Sequence, residues 1–183
     1  MKKILLPLIL AGFSLFFTCN KSGDYISIQG FHTTDHSGNF LGQIGPADKD
    51  WTFMTGLSQA ELAFFNFDTG IPFENTTVPD ISDNVLAFPN PASTQQAYHF
   101  TAADSAIVKL VIVNAALQVV KRTAFKIMKG SNTVQVDVSD RASFPNHTSF
   151  RTYFSFSVKD HPDFKAGYGD IRICESGLVT NCF

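Results

Sequence analysis

The 183-residue chain is short of charge. Only 16% of it is Asp, Glu, Lys or Arg, and the formal net charge is −2. No cationic run stands out, so a nucleic-acid partner is not expected. Glutamate is scarce, at positions 61, 74 and 175 only, which leaves little material for a paired-glutamate hydrolytic centre. There is no G-x-S-x-G nucleophile elbow and no glycine-rich phosphate loop. Heptads and long helical periodicity are missing too. These gaps give no catalytic residues, no metal site and no cofactor to expect, and the chain reads as non-enzymatic. What is abundant is phenylalanine, 19 residues against a single Trp, together with Val and Thr. That mixture favours strands.

The N-terminus has a leader. Lys2 and Lys3 precede an apolar run over 4–17, too short to span a bilayer comfortably. The run ends at Phe17-Thr18-Cys19, followed by polar residues 20–24. This resembles a bacterial lipoprotein signal, which implies cleavage after residue 18 and lipidation at Cys19. Ordinary secretory cleavage is a rival, without an A-x-A pattern to support it. An uncleaved anchor is a third reading. With lipid on Cys19, the odd cysteine count resolves. Cys174 and Cys182 remain, and in an oxidising compartment they would pair, closing a loop worth roughly 2.5 kcal/mol on the chain-entropy estimate.

Beyond residue 24 the pattern predicts a strand at 25–28, a loop or irregular hairpin over 30–39, and a return strand at 40–44. Ser58 and Glu61 have capping-box spacing and predict a helix near 59–66. Residues 72–84 read as linker or surface loop. Then come seven short strands, at 85–88, 96–101, 107–114, 118–127, 133–138, 150–158 and 168–174, separated by turn residues. Strand 107–114 is nearly all apolar and should be buried on both faces. Strand 150–158 alternates, with Phe150, Phe154, Phe156 and Val158 inward and Arg151, Tyr153, Ser155 and Ser157 outward. Pro89 and Pro91 cannot join a ladder, so they end the first of the seven at a sheet edge. The expected fold is mainly β: an antiparallel Ig-like sandwich over 85–183, with an N-terminal β/short-helix extension over 25–84.

Three stretches carry a resemblance. Phe88-Pro89-Asn90-Pro91-Ala92-Ser93, then "VKLVIVNAALQVVKR", then "KGSNTVQVDVS", resemble the Ig-like C-terminal sorting domain of type IX secretion cargo in Bacteroidetes. Together with "GPADKDWTF" and "YFSFSVKDHPDFKAGYGDIRIC", the chain is similar to small uncharacterised envelope lipoproteins of those bacteria. That resemblance implies a sandwich retained as a permanent module. It also makes Ser105, in Asp104-Ser105-Ala106, an O-glycosylation candidate in a predicted turn. Only Asp24 remains of the acidic run that marks surface lipoproteins, which favours the periplasmic side of the outer membrane.

Two local clusters invite a ligand reading. His32, Asp35 and His36 lie in a Gly- and Thr-rich segment and read as a solvated turn, not as metal ligands. Asp48 and Asp50 precede Trp51; they read either as a ligand-binding trio or as a polar turn before a core Trp. The leading functional expectation is a lipid-anchored envelope module for binding, adhesion or assembly, its partner an envelope protein or a glycan. A type IX sorting domain is one alternative. A glycan-binding module using Trp51 and exposed tyrosines such as Tyr153 is another.

Overall fold

The computed structural model describes residues 25–47, 50–176 and 182. The chain is mainly β, with ten strands in three antiparallel sheets among the described residues. The strands are β1 (Phe31–Thr34), β2 (Phe40–Ile44), β3 (Thr52–Phe53), β4 (Leu86–Phe88), β5 (Gln95–Ala102), β6 (Ala106–Val113), β7 (Val119–Ile127), β8 (Gly130–Asp137), β9 (Ser149–Val158) and β10 (His161–Arg172). A five-stranded sheet, ordered β3-β10-β9-β6-β7, packs against a three-stranded sheet, β4-β5-β8. β1 and β2 form a separate hairpin. This is the expected antiparallel sandwich, and all seven strands read from residue 85 onward are present.

The sandwich core is aromatic. Phe100 of the smaller sheet meets Phe156 of the larger at 5.3 Å, edge to face, and Phe150, Phe154 and Tyr98 are buried around them. β6 occupies the middle of the larger sheet, between β7 and β9, and every one of its residues is buried. Alternate residues Val108, Leu110 and Ile112 face the sandwich core, while Val111 and Val113 join a second cluster on the opposite face. Burial on both faces is what the unbroken apolar run requires.

The second cluster corrects the reading of β9. Tyr153, Ser155 and Ser157, expected to face solvent, are buried at 0%, 0% and 8% exposure. Their cover comes from the extension. Ser58 caps the short helix α1 (Gln59–Leu62) in a reciprocal box: its Oγ accepts the Glu61 N–H, and Glu61 Oε2 accepts the Ser58 N–H at 2.7 Å. One 3-10 turn, Ala63–Phe65, follows and drives Phe65 onto Val111, Val113 and Tyr153. The Tyr153 hydroxyl donates to Glu61 Oε1 at 2.8 Å, which satisfies a phenol that would otherwise be buried alone. The ammonium of Lys109, in mid-β6, donates to the Phe65 carbonyl at 2.9 Å and to Asp163 at 3.2 Å.

Other differences have simple causes. Residues 25–28 form no strand: the Ile26 N–H bonds the Ala115 carbonyl, Ile26 reaches the second cluster, and Tyr25 is exposed. The segment 30–39, read as a loop or an irregular hairpin, holds β1 and the turn into β2, where Asp35 accepts the N–H groups of Ser37 and Asn39. β3 was not anticipated; two residues are too few for a periodicity signal. β10 begins seven residues before the expected strand at 168, with an irregularity between His161 and Lys165 that Asp163 turns at φ 51. In the β6–β7 turn, Leu117 takes φ 54 while Asn114 Oδ1 accepts the Ala116 and Gln118 N–H groups.

The Pro-Asn-Pro segment ends β4, an edge strand, as its missing N–H groups demand. Asn90 between the prolines is fully buried. Its Nδ2 donates to the carbonyls of His32 and Asp170, its Oδ1 accepts the Arg172 N–H at 2.9 Å, and its backbone pairs with Thr34. One side chain thus ties the β1–β2 hairpin, β4 and β10 together. At the C-terminal end Cys174 and Cys182 are disulfide-bonded, Cα to Cα 5.7 Å. Cys19 lies outside the described residues.

Candidate functional site

A half-open cleft of about 250 Å³ lies at the seam between the extension and the sandwich. Ser27, Gln29, Pro46 and Asp50 line it from the extension, and Arg151, Tyr168 and Asp170 from the sandwich. Arg151 and Asp170 are cross-strand neighbours on β9 and β10. The guanidinium meets the carboxylate in a fork, Nε to Oδ1 at 2.7 Å and Nη2 to Oδ2 at 2.8 Å. It also lies over the Tyr168 ring, 4.0 Å from the centroid. Burial works against the Arg151 charge, but the paired carboxylate outweighs it and holds the guanidinium more firmly protonated than usual.

Asp50 sits at the back of the cleft, 7% exposed. Its Oδ2 accepts the His32 N–H at 2.8 Å and its Oδ1 accepts the Asp170 N–H at 2.5 Å. The side chain therefore clamps β1 to β10. Burial, the largest influence, pushes its pKa from 3.8 up to about 7. The nearby Asp170 charge adds to the rise; the two N–H bonds and Arg151 oppose it. The His32 imidazole, Nδ1 3.9 Å from Asp50, is itself lowered by burial.

A raised pKa in the folded state favours the protonated form. The Asp50 contribution to stability is complete below pH 4 or so and is lost as pH rises through its folded value near 7. Between those limits the wild type should lose up to about 4 kcal/mol more than an Asp50→Asn variant, on the conversion of 1.36 kcal/mol per unit. Urea unfolding of both proteins at a series of pH values checks this. Parallel stability curves would show that Asp50 does not carry the effect.

Trp51 is next to this cleft but does not open onto it. It is 4% exposed, at φ 58, with its ring stacked on Phe154 and tilted against Tyr98. A Cβ at Gly169 would collide with the indole, so a glycine is required beneath it. The ring has no open face for a sugar; it is the core Trp of the two readings. Tyr153 likewise is not the exposed tyrosine expected of a glycan platform. Asp48 lies outside the described residues. Ser105 is half-buried in the β5–β6 turn, where its N–H bonds Asp104 Oδ1 and its carbonyl accepts from Asn75. Among the described residues, no three His, Cys, Asp or Glu side chains converge as a metal site would need.

Of Asp50 and Trp51, the two described members of the trio, Asp50 lines the cleft and Trp51 does not. No sequence pattern marks Arg151, Tyr168 and Asp170 as members of one site. An Arg on the outward alternation of strand 150–158 was the available signal, but its partner depends on the β9–β10 register. No protein-family model matches the sequence, and no curated protein is significantly similar to it.

Proposed function

We propose that this chain is a non-enzymatic binding module of the bacterial cell envelope, lipid-anchored at Cys19, and that the seam cleft is its ligand site. The single observation that carries the reading is the way the extension is built into the sandwich. β3 is a strand of the larger sheet, Phe65 seals its outer face, and the cleft draws its lining from both parts. Removing the sandwich as a sorting tag would cut the cleft in half and uncover buried β9 side chains. A retained module fits this construction better than a cleavable signal.

The cleft chemistry suits a neutral, hydroxyl-rich ligand, such as one sugar ring of an envelope glycan. Its only guanidinium is already neutralised by Asp170, so an anion gains little there. The carboxylates keep lone pairs for hydroxyl donors, and Tyr168 and Pro46 add apolar surface to the lining.

Two measurements test the proposal. Intact mass of the protein purified from membranes should show a chain that starts at an acylated Cys19 and still carries the sandwich through Cys182. An unlipidated chain, or one cleaved ahead of residue 85, would overturn the anchored-module reading. On a glycan array the wild type should retain a subset of sugars. Ser27→Trp, which fills the mouth from an exposed position, should abolish that retention. A blank array, or equal binding by the variant, would remove the cleft as the site.

A further inference from the structure

The cations of this protein are unevenly spent. Lys109, Arg151, Lys159 and Lys165 are each ion-paired with a carboxylate. Arg141 is turned onto the carbonyls of Ser93, Val138 and Phe144. Arg122, Lys126 and Lys129 are different. All three are exposed, and none meets a carboxylate at ion-pair distance among the described residues. They lie on β7 and in the turn that follows it. On a chain of net charge −2 this is a local basic edge, too short to stand out in the sequence.

The strand that carries them is open. β7 ends the five-stranded sheet and, among the described residues, pairs only with β6, so along its nine residues alternate N–H and C=O groups face an edge with no strand beside it. The cations on its outer face are held in place. The Arg122 guanidinium lies 6.0 Å from the Phe67 ring and the Lys126 ammonium 5.6 Å from the Phe73 ring. Lys121, on the opposite face, reaches the Asp137 carbonyl of β8 at 2.7 Å and steadies the strand against the smaller sheet.

We infer that β7 is a docking edge for an extended acidic segment of a partner protein, which would add as a further strand to the larger sheet. Edge cations commonly serve only to keep copies of a sheet from pairing. Here the same charges do both: they repel a second β7 and attract a strand of opposite sign. A lipid headgroup layer fits less well. It could neutralise the charges, but it offers no regularly spaced donors and acceptors to satisfy a strand edge, whereas an extended peptide does. Arg122 and Lys126 are four residues apart on one face, roughly 14 Å along a strand, so the partner segment should carry acids at the same spacing. The inference does not depend on the cleft or on its ligand.

The probe is a short synthetic peptide of alternating threonine and valine with glutamates four residues apart. A glutamine version is the control, and phosphatidylglycerol vesicles are a separate arm. With the full mature chain, the glutamate peptide should shift backbone amide signals confined to Val119–Ile127. Affinity should fall by about tenfold or more in an Arg122→Glu/Lys126→Glu variant of unchanged melting temperature, and likewise for the glutamine peptide. Lys129→Glu, in the turn, gives a milder second reading of the same charge dependence. The inference fails if the glutamate peptide does not bind. It fails too if binding is insensitive to charge reversal, if the shifts map to another strand, or if only the vesicles capture the protein.

Discussion

Asn90→Ala should destabilise the fold by about 3 to 5 kcal/mol, because it strands several buried groups at once. The carbonyls of His32 and Asp170 lose their donor, and the Arg172 N–H loses its acceptor. None of these can turn to water cheaply, since Asn90 has 0% exposure between β1, β4 and β10. The melting temperature should fall by about 10 °C for a chain of this length. Asn84→Ala is the control. Asn84 is exposed, its side chain has no hydrogen bond among the described residues, and it should change stability by less than about 0.5 kcal/mol. Paired urea titrations decide the matter. A loss under about 1 kcal/mol for Asn90→Ala would mean that the prolines alone set the turn and that Asn90 is incidental.

Phe65→Ala should cost about 3 to 4 kcal/mol, as for a fully buried aromatic whose site cannot collapse around the gap. Phe65 is the plug of the second cluster, against Val111, Val113 and Tyr153. Its backbone carbonyl also receives the Lys109 ammonium, so movement of this turn leaves a buried cation short of an acceptor. Beyond the change in midpoint, amide exchange should rise along α1 and at Tyr153 while Phe100 and its neighbours in β5 stay protected. If the outer face of β9 were solvent-facing, as simple alternation suggests, the substitution would cost less than about 1 kcal/mol and leave Tyr153 exchange unchanged.

Those two residues also mark what could and could not be read from the chain itself. The Pro-Asn-Pro stop, the seven strands and the Ser58–Glu61 cap are local signals, and local signals survive into the fold. The apolar run of β6 declared two buried faces, but said nothing of what covers the second. Tyr153, Ser155 and Ser157 look like a solvent face because their polarity is real; their hydrogen bonds go to Glu61 and Asp163 instead of water. The cover comes from a segment about ninety positions away from Tyr153, and no period-2 pattern encodes that distance. The site was half legible for a related reason. Asp50 was conspicuous beside the only Trp, whereas Arg151 and Asp170 meet only once the β9–β10 register is known, and the irregular start of β10 hides that register.

The central claim is that extension and sandwich are one cooperative unit with the cleft at their seam. Its most direct test is a comparison of residues 25–183 with residues 85–183 by thermal unfolding and amide spectra. The longer chain should unfold in a single sharp transition. The shorter one, deprived of β3, of the β1–β2 hairpin clamped by Asp50 and Asn90, and of the Phe65 plug, should lack dispersed signals and a cooperative melt. A folded 85–183 matching the longer chain within about 1 kcal/mol would contradict the account, because the extension would then be an appendage and not part of the fold.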